Sequence, residues 1–121
     1  MIDEQATPIF IKIKEKLKDD IMAGVYEEDE LIISTTQIAK FYAVNLGTAG
    51  KSINLLSEEG IVYKKRGIGM CVTKEAKEII VKQRTEEFHG RIITYLVSEA
   101  KKLGINREQL IQIIKGVEDY D

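Results

Sequence analysis

The chain has 121 residues, 44% of them hydrophobic, which suits one packed domain with a short appendage and is too apolar for a disordered chain. A single cysteine, Cys71, excludes an internal disulfide framework. The acidic start MIDEQATPIF and the lack of a long apolar run point to a soluble cytoplasmic protein without a membrane partner. The net charge of −2 is unevenly spread: four cations face nine anions over residues 1–30, five face two over 31–73, and nine face nine from 74 onward. Salt confines a charge's reach to about 8–10 Å, so a polyanion would feel the positive middle third.

Pro8 opens the first helical pattern, in which Ile9, Ile13, Leu17 and Ile21 recur every four residues, with Phe10 and Met22 beside them, until Gly24 stops it. Lys12, Lys16 and Asp19 fall outward. Ser34 is the next cap, with Gln37 three residues on as its capping-box partner, and Ile38, Phe41 and Tyr42 mark an apolar face. This helix is short, because Asn45 caps another that carries Thr48, Ala49, Ser52, Ile53, Leu55 and Leu56 before Glu58, Glu59 and Gly60. Two helices joined by a tight turn over residues 42–45 make a helix-turn-helix pattern.

After Gly60 the period changes. Residues 61–63 and 70–73 suit strands, and KKRGIG between them reads as a hairpin with glycines in its turn. Three helices and a hairpin form a winged helix-turn-helix, with the hairpin as wing. From Lys74 the helical period resumes to about Leu103, and residues 82–87 interrupt its apolar stripe, so the front of this helix is expected to be a solvated strut. Gly104 ends that helix, and Asn106, with Gln109, caps a final one. The expected fold is therefore mainly α with a small β-hairpin: a winged helix-turn-helix over residues 1–73 and a helical dimerisation tail over 74–121. Two tail helices cannot enclose a core, so Phe88, Ile92, Ile93, Leu96, Val97, Leu103, Leu110, Ile111 and Ile114 are the expected interface of a homodimer.

Catalytic chemistry finds little support. The run YKKRGIGMCV (63–72) admits a phosphate loop, a plain turn or a finger reaching into nucleic acid. As a dinucleotide fingerprint, however, it lacks a third glycine and is followed by a strand instead of a helix. His89 and Cys71 are the sole residues of their types, too few for a metal cluster or a nucleophilic dyad. His89 reads as a partly buried helix residue and Cys71 as wing packing. The carboxylate pairs Asp19-Asp20 and Glu58-Glu59 read as solvated helix faces. No enzyme, cofactor or metal is expected.

The positive third suits DNA. A recognition helix meets base edges and phosphates mainly through its N-terminal residues, here Asn45, Leu46, Gly47 and Thr48, with Lys51 further along. Gly47 and Gly50 each lower helix propensity by about 1 kcal/mol relative to alanine, and close approach of backbone to DNA supplies one reason for them. Lys64, Lys65 and Arg66 bring charge to the wing, and Gly67 and Gly69 leave its tip free to enter a narrow groove.

Taken together these residues resemble the winged helix-turn-helix of GntR-type bacterial transcriptional regulators. The resemblance runs from Pro8 to Val72 through Pro8-Ile9-Phe10, Ser34, Ile38-Ala39, Val44-Asn45-x-x-Thr48, Glu59-Gly60-Ile61-Val62 and Arg66-Gly67-x-Gly69. The short tail resembles that of the YtrA subfamily. The resemblance implies a dimer on a palindromic double-stranded DNA operator, with contacts at Ser34, Thr36, the segment from Asn45 to Lys51, and Arg66 to Gly69. Ile33 and Thr36 stand where the family usually has proline and arginine, Leu46, Gly47 and Gly50 where polar or basic residues are common, and Met70 where threonine is frequent. The leading expectation is a repressor acting by promoter occlusion. The alternative is a winged-helix protein-interaction module without specific DNA binding. A tail this short cannot close a pocket of about 300–1,000 Å³ within one chain, so any small-molecule effector, which the sequence leaves unknown, would have to bind at the dimer interface or between domains.

Overall fold

The structure, a computed structural model, describes residues 6–118; residues 1–5 and 119–121, the outer ends of the two expected domains, lie outside the described residues. Two compact units are present, one ending at Lys82 and the other beginning at Gln83.

In the first unit, α1 (Ile9–Met22) starts after Pro8 and buries Ile13, Leu17 and Ile21, as the four-residue spacing requires. Ile9, expected on that face, stays 45% exposed, one turn ahead of the first buried residue. The second helix, α2 (Thr35–Tyr42), begins with the complete capping box: Gln37 N donates to Ser34 Oγ at 3.1 Å and Ser34 N to Gln37 Oε1 at 2.9 Å. Replacing Ser34 by alanine should remove about 1 kcal/mol of stability, read as a lower denaturation midpoint with unchanged slope.

Ile38 is the buried residue of α2, while Phe41, expected beside it, is 77% exposed and meets the Tyr42 ring edge to face. Residue 41 lies three on from Ile38 but at the far end of a two-turn helix, and the chain then turns at once. Ala43 makes that turn in the left-handed region (φ 54°), with its N–H donating to Ala39 O. α3 (Leu46–Glu58) follows, burying Ala49, Ser52, Ile53 and Leu56; the Ser52 hydroxyl donates to Ala49 O at 2.7 Å.

The wing is an antiparallel pair, β1 (Val62–Lys65) and β2 (Gly69–Val72), in register from Val62 with Val72 to Lys65 with Gly69. The strands run further toward the tip than the sequence suggests, so Lys64 and Lys65 are strand residues and only 66–68 remain in the turn. The far edge of β2 is also covered. Asp29 N donates to Val72 O, Val72 N to Glu30 O and Ile32 N to Met70 O, at 2.8–3.0 Å, and Leu31 bridges to Cys71. This satisfies an edge that would otherwise be open to another chain. Cys71 is buried within the wing, as expected.

α4 (Ala76–Glu87) corrects the picture of a solvated strut at its start. Ala76 and Ile80 are buried in the same core as Ile13, Leu56 and Val72, and Ile79 packs against it. The strut reading weighed the polar run 82–87 and missed that one helical turn ahead of it suffices to anchor the helix.

In the second unit the expected single long helix is interrupted. Residues Phe88–Ile93 form a π-helical stretch, followed by α5 (Thr94–Lys102) and α6 (Arg107–Lys115). Gly90 lies inside the wide turn, where its low α propensity weakens the competing geometry, and Thr94 Oγ1 donates to His89 O, five residues back, at 3.2 Å. His89 is exposed here, not partly buried. Asn106 and Gln109 complete a second capping box at the start of α6.

Candidate nucleic-acid interface

The first turn of α3 has no acidic side chain, so no carboxylate there offsets the positive dipole end of the helix. Asn45 starts the turn by accepting Thr48 N at 2.7 Å through Oδ1. That bond occupies the amide oxygen and leaves the amide N–H groups as the outward donors. A Cβ at Gly47 would come within 3.3 Å of this oxygen, so glycine there leaves the cap uncrowded. A Cβ at Gly50 would lie 3.8 Å from Thr35 Cγ2, an ordinary contact, so packing between α2 and α3 leaves room for a methyl group there. Leu46 and Gly47 are exposed and Thr48 is half-buried.

The other expected contact residues occupy varied surroundings. Thr36 is exposed on α2, whereas the Ser34 hydroxyl is engaged in the cap. Lys51, exposed on α3, holds its ammonium 4.0 Å from the centre of the Phe10 ring, a cation–π contact that ties it to α1.

Of the three wing cations, Lys65 is partnered: its Nζ lies 3.1 Å from Asp29 Oδ2, and the Tyr63 hydroxyl donates to Asp29 Oδ1. These bonds hold the Asp29 carboxyl below its usual pKa, Tyr63 first and Lys65 second, and raise the pKa of both partners. Lys64 and Arg66 are exposed and form no ion pair among the described residues. Gly67 (φ 79°) and Gly69 (φ 137°) shape the turn between the strands, and a Cβ on Gly69 would sit 2.8 Å from Leu31 Cδ1.

Two charged residues that bear on the candidate surface were not singled out from the sequence. Lys40 is exposed and free of ion pairs among the described residues, and its four-residue spacing from Thr36 puts both on one side of α2, a signal that was available. Asp29, which neutralises Lys65, lies 36 residues away from it with no local cue.

In the second unit, Phe88, Ile92, Leu96, Val97, Leu103, Ile111 and Ile114 are exposed, and Ile93 and Leu110 are half-buried. Tyr95, Ile113 and Val117 add to this apolar surface. Among the described residues no group of three or more His, Cys, Asp or Glu side chains is placed to hold a metal ion, and no helix is long and apolar enough to cross a membrane.

Comparison with known proteins fits this geometry. The HTH-type transcriptional repressor YtrA of Bacillus subtilis is 25% identical over 112 residues, covering 93% of this chain and 85% of its own length. A GntR family transcriptional regulator from Listeria monocytogenes has a solved structure that is 30% identical. It covers 97% of this chain and all of its own, with a TM-score of 0.72. The structure of AraR(DBD) in complex with operator ORR3 matches 60% of this chain and 88% of its own at 25% identity, with a TM-score of 0.54. The family model for bacterial regulatory proteins of the gntR type matches residues 11–72, the stretch from α1 to the end of the wing. The chain therefore belongs to the GntR family of transcriptional regulators, which are not enzymes, and the YtrA likeness continues through its short tail.

Proposed function

We propose that the protein is a dimeric, sequence-specific repressor that binds a palindromic operator in double-stranded DNA and occludes a promoter, acting in the cytoplasm. Residues 1–73 carry the DNA contacts and 74–121 the dimer interface. The observation that carries this reading is the α3 N-terminus: capped, exposed and without an acidic side chain, in the same compact unit as a wing whose Lys64 and Arg66 are unpaired among the described residues. Supporting it, AraR(DBD), a structural relative, has been seen on an operator.

Each protomer presents one α3 to a half-site, with half-site centres one turn of DNA, about 34 Å, or a multiple apart. The apolar tail surface, wasteful if left in water, supports pairing of two copies by two-fold symmetry. Sedimentation should give a dimer, and footprinting should show protection with dyad symmetry. Charging the tail with Ile92→Asp and Leu96→Asp should give folded monomers whose operator affinity falls by roughly 100-fold or more, because linked half-sites gain about that much from avidity. A monomeric wild-type protein, or a charged variant that binds normally, contradicts the dimer.

A further inference from the structure

We infer that Leu46 is a specificity-determining residue that reads the 5-methyl group of a thymine in each half-site. This rests on the proposed DNA-binding function and adds to it the base feature recognised. Leu46 is the first residue of α3 and is 59% exposed, at the helix end that meets base edges in helix-turn-helix proteins.

Its surroundings leave little else there to read a base. Gly47 has no side chain, Thr48 is half-buried, Asn45 spends its amide oxygen on the cap, and Lys51 is drawn over Phe10. Beside the Asn45 amide N–H donors, the first turn therefore presents one large side chain, and that side chain is apolar. In the major groove the complementary feature is the thymine methyl, the one alkyl group the base pairs present there among their hydrogen-bond donors and acceptors. A leucine set against one of those would bury a polar atom without a partner. Ile68 is also exposed, at the wing tip, but a wing seated in the minor groove does not meet a thymine methyl.

The test begins with selection of binding sites from random duplexes by the full chain. Thymines in the selected site are then replaced one symmetric pair at a time by deoxyuridine, which removes only the methyl. One pair should weaken wild-type binding by about fourfold per half-site, the effect of burying one methyl-sized group, or roughly 15-fold for both. Leu46→Ala, folded by its melting curve, should bind the thymine site more weakly and lose nothing further on that uridine site. Leu46→Gln should move the selected base at this position from thymine toward adenine, which glutamine reads through paired hydrogen bonds.

If no uridine pair weakens the wild type, or if Leu46→Ala loses as much as the wild type at every pair, the inference is overturned while the DNA-binding function stands. If selection enriches no sequence, both fall.

Discussion

Glu59→Ala should destabilise the winged unit by about 3 kcal/mol, a large effect for one partly exposed carboxylate. Its Oε1 lies 2.8 Å from Lys18 Nζ and its Oε2 3.0 Å from Lys14 Nζ. The Lys18 side chain is only 5% exposed and sits on the same stretch of α1 as the core residues Leu17 and Ile21. A buried ammonium is tolerable only with compensating partners, and removing one partner typically costs 3–5 kcal/mol. Glu15, 3.2 Å from Lys18, remains and places the expected loss at the low end of that range. Urea denaturation reads the change directly.

The complementary variant separates burial of a charge from loss of a contact. Lys18→Met with Glu59→Leu should recover most of the stability, because an apolar pair of similar size needs no ion to be desolvated. Near-wild-type stability of Glu59→Ala alone would show that Lys18 is satisfied without it.

The same ion pair shows where the sequence stopped being legible. Lys18 stands beside an apolar stripe, where a lysine ordinarily extends its head to water, and Glu58-Glu59 reads as a solvated helix end. What makes Glu59 half-buried is α1 packing against α3, 41 residues away in sequence. The salt link from Asp29 to Lys65 is hidden for the same reason. Local signals carried further. Ser34, Asn45 and Asn106 all cap the helices their spacing announces, since a cap bond spans three residues and needs no tertiary partner. The apolar period placed α1, α3 and the hairpin. It overreached at Phe41, where the helix ends too soon for the pattern to hold, and from Phe88 to Ile93, where a wide turn replaces the regular one. Of the expected contact residues, the sequence located the elements that bear them. It did not reveal that Lys51 and Lys65 are engaged within the fold, which changes how much charge is left for a ligand.

That remaining charge sets the second large effect, the salt dependence of operator binding. In the positive third of the chain, Lys40, Lys64 and Arg66 are exposed and unpaired among the described residues, three per protomer. In a dimer, about six phosphates are then neutralised by displacing condensed counterions, and the logarithm of affinity falls with the logarithm of salt at a slope near −0.9 per phosphate. Between 50 and 200 mM salt this amounts to roughly a 10³-fold loss. Lys64→Ala with Arg66→Ala removes four of those contacts from the dimer. Its affinity at low salt should fall, and its loss over the same salt range should shrink to about tenfold. Both positions are exposed, so stability should hardly move, and equal melting curves separate this result from unfolding. A slope unchanged in the double variant would mean that the wing stays off the phosphates. A wild-type curve flat in salt would remove the electrostatic mechanism altogether.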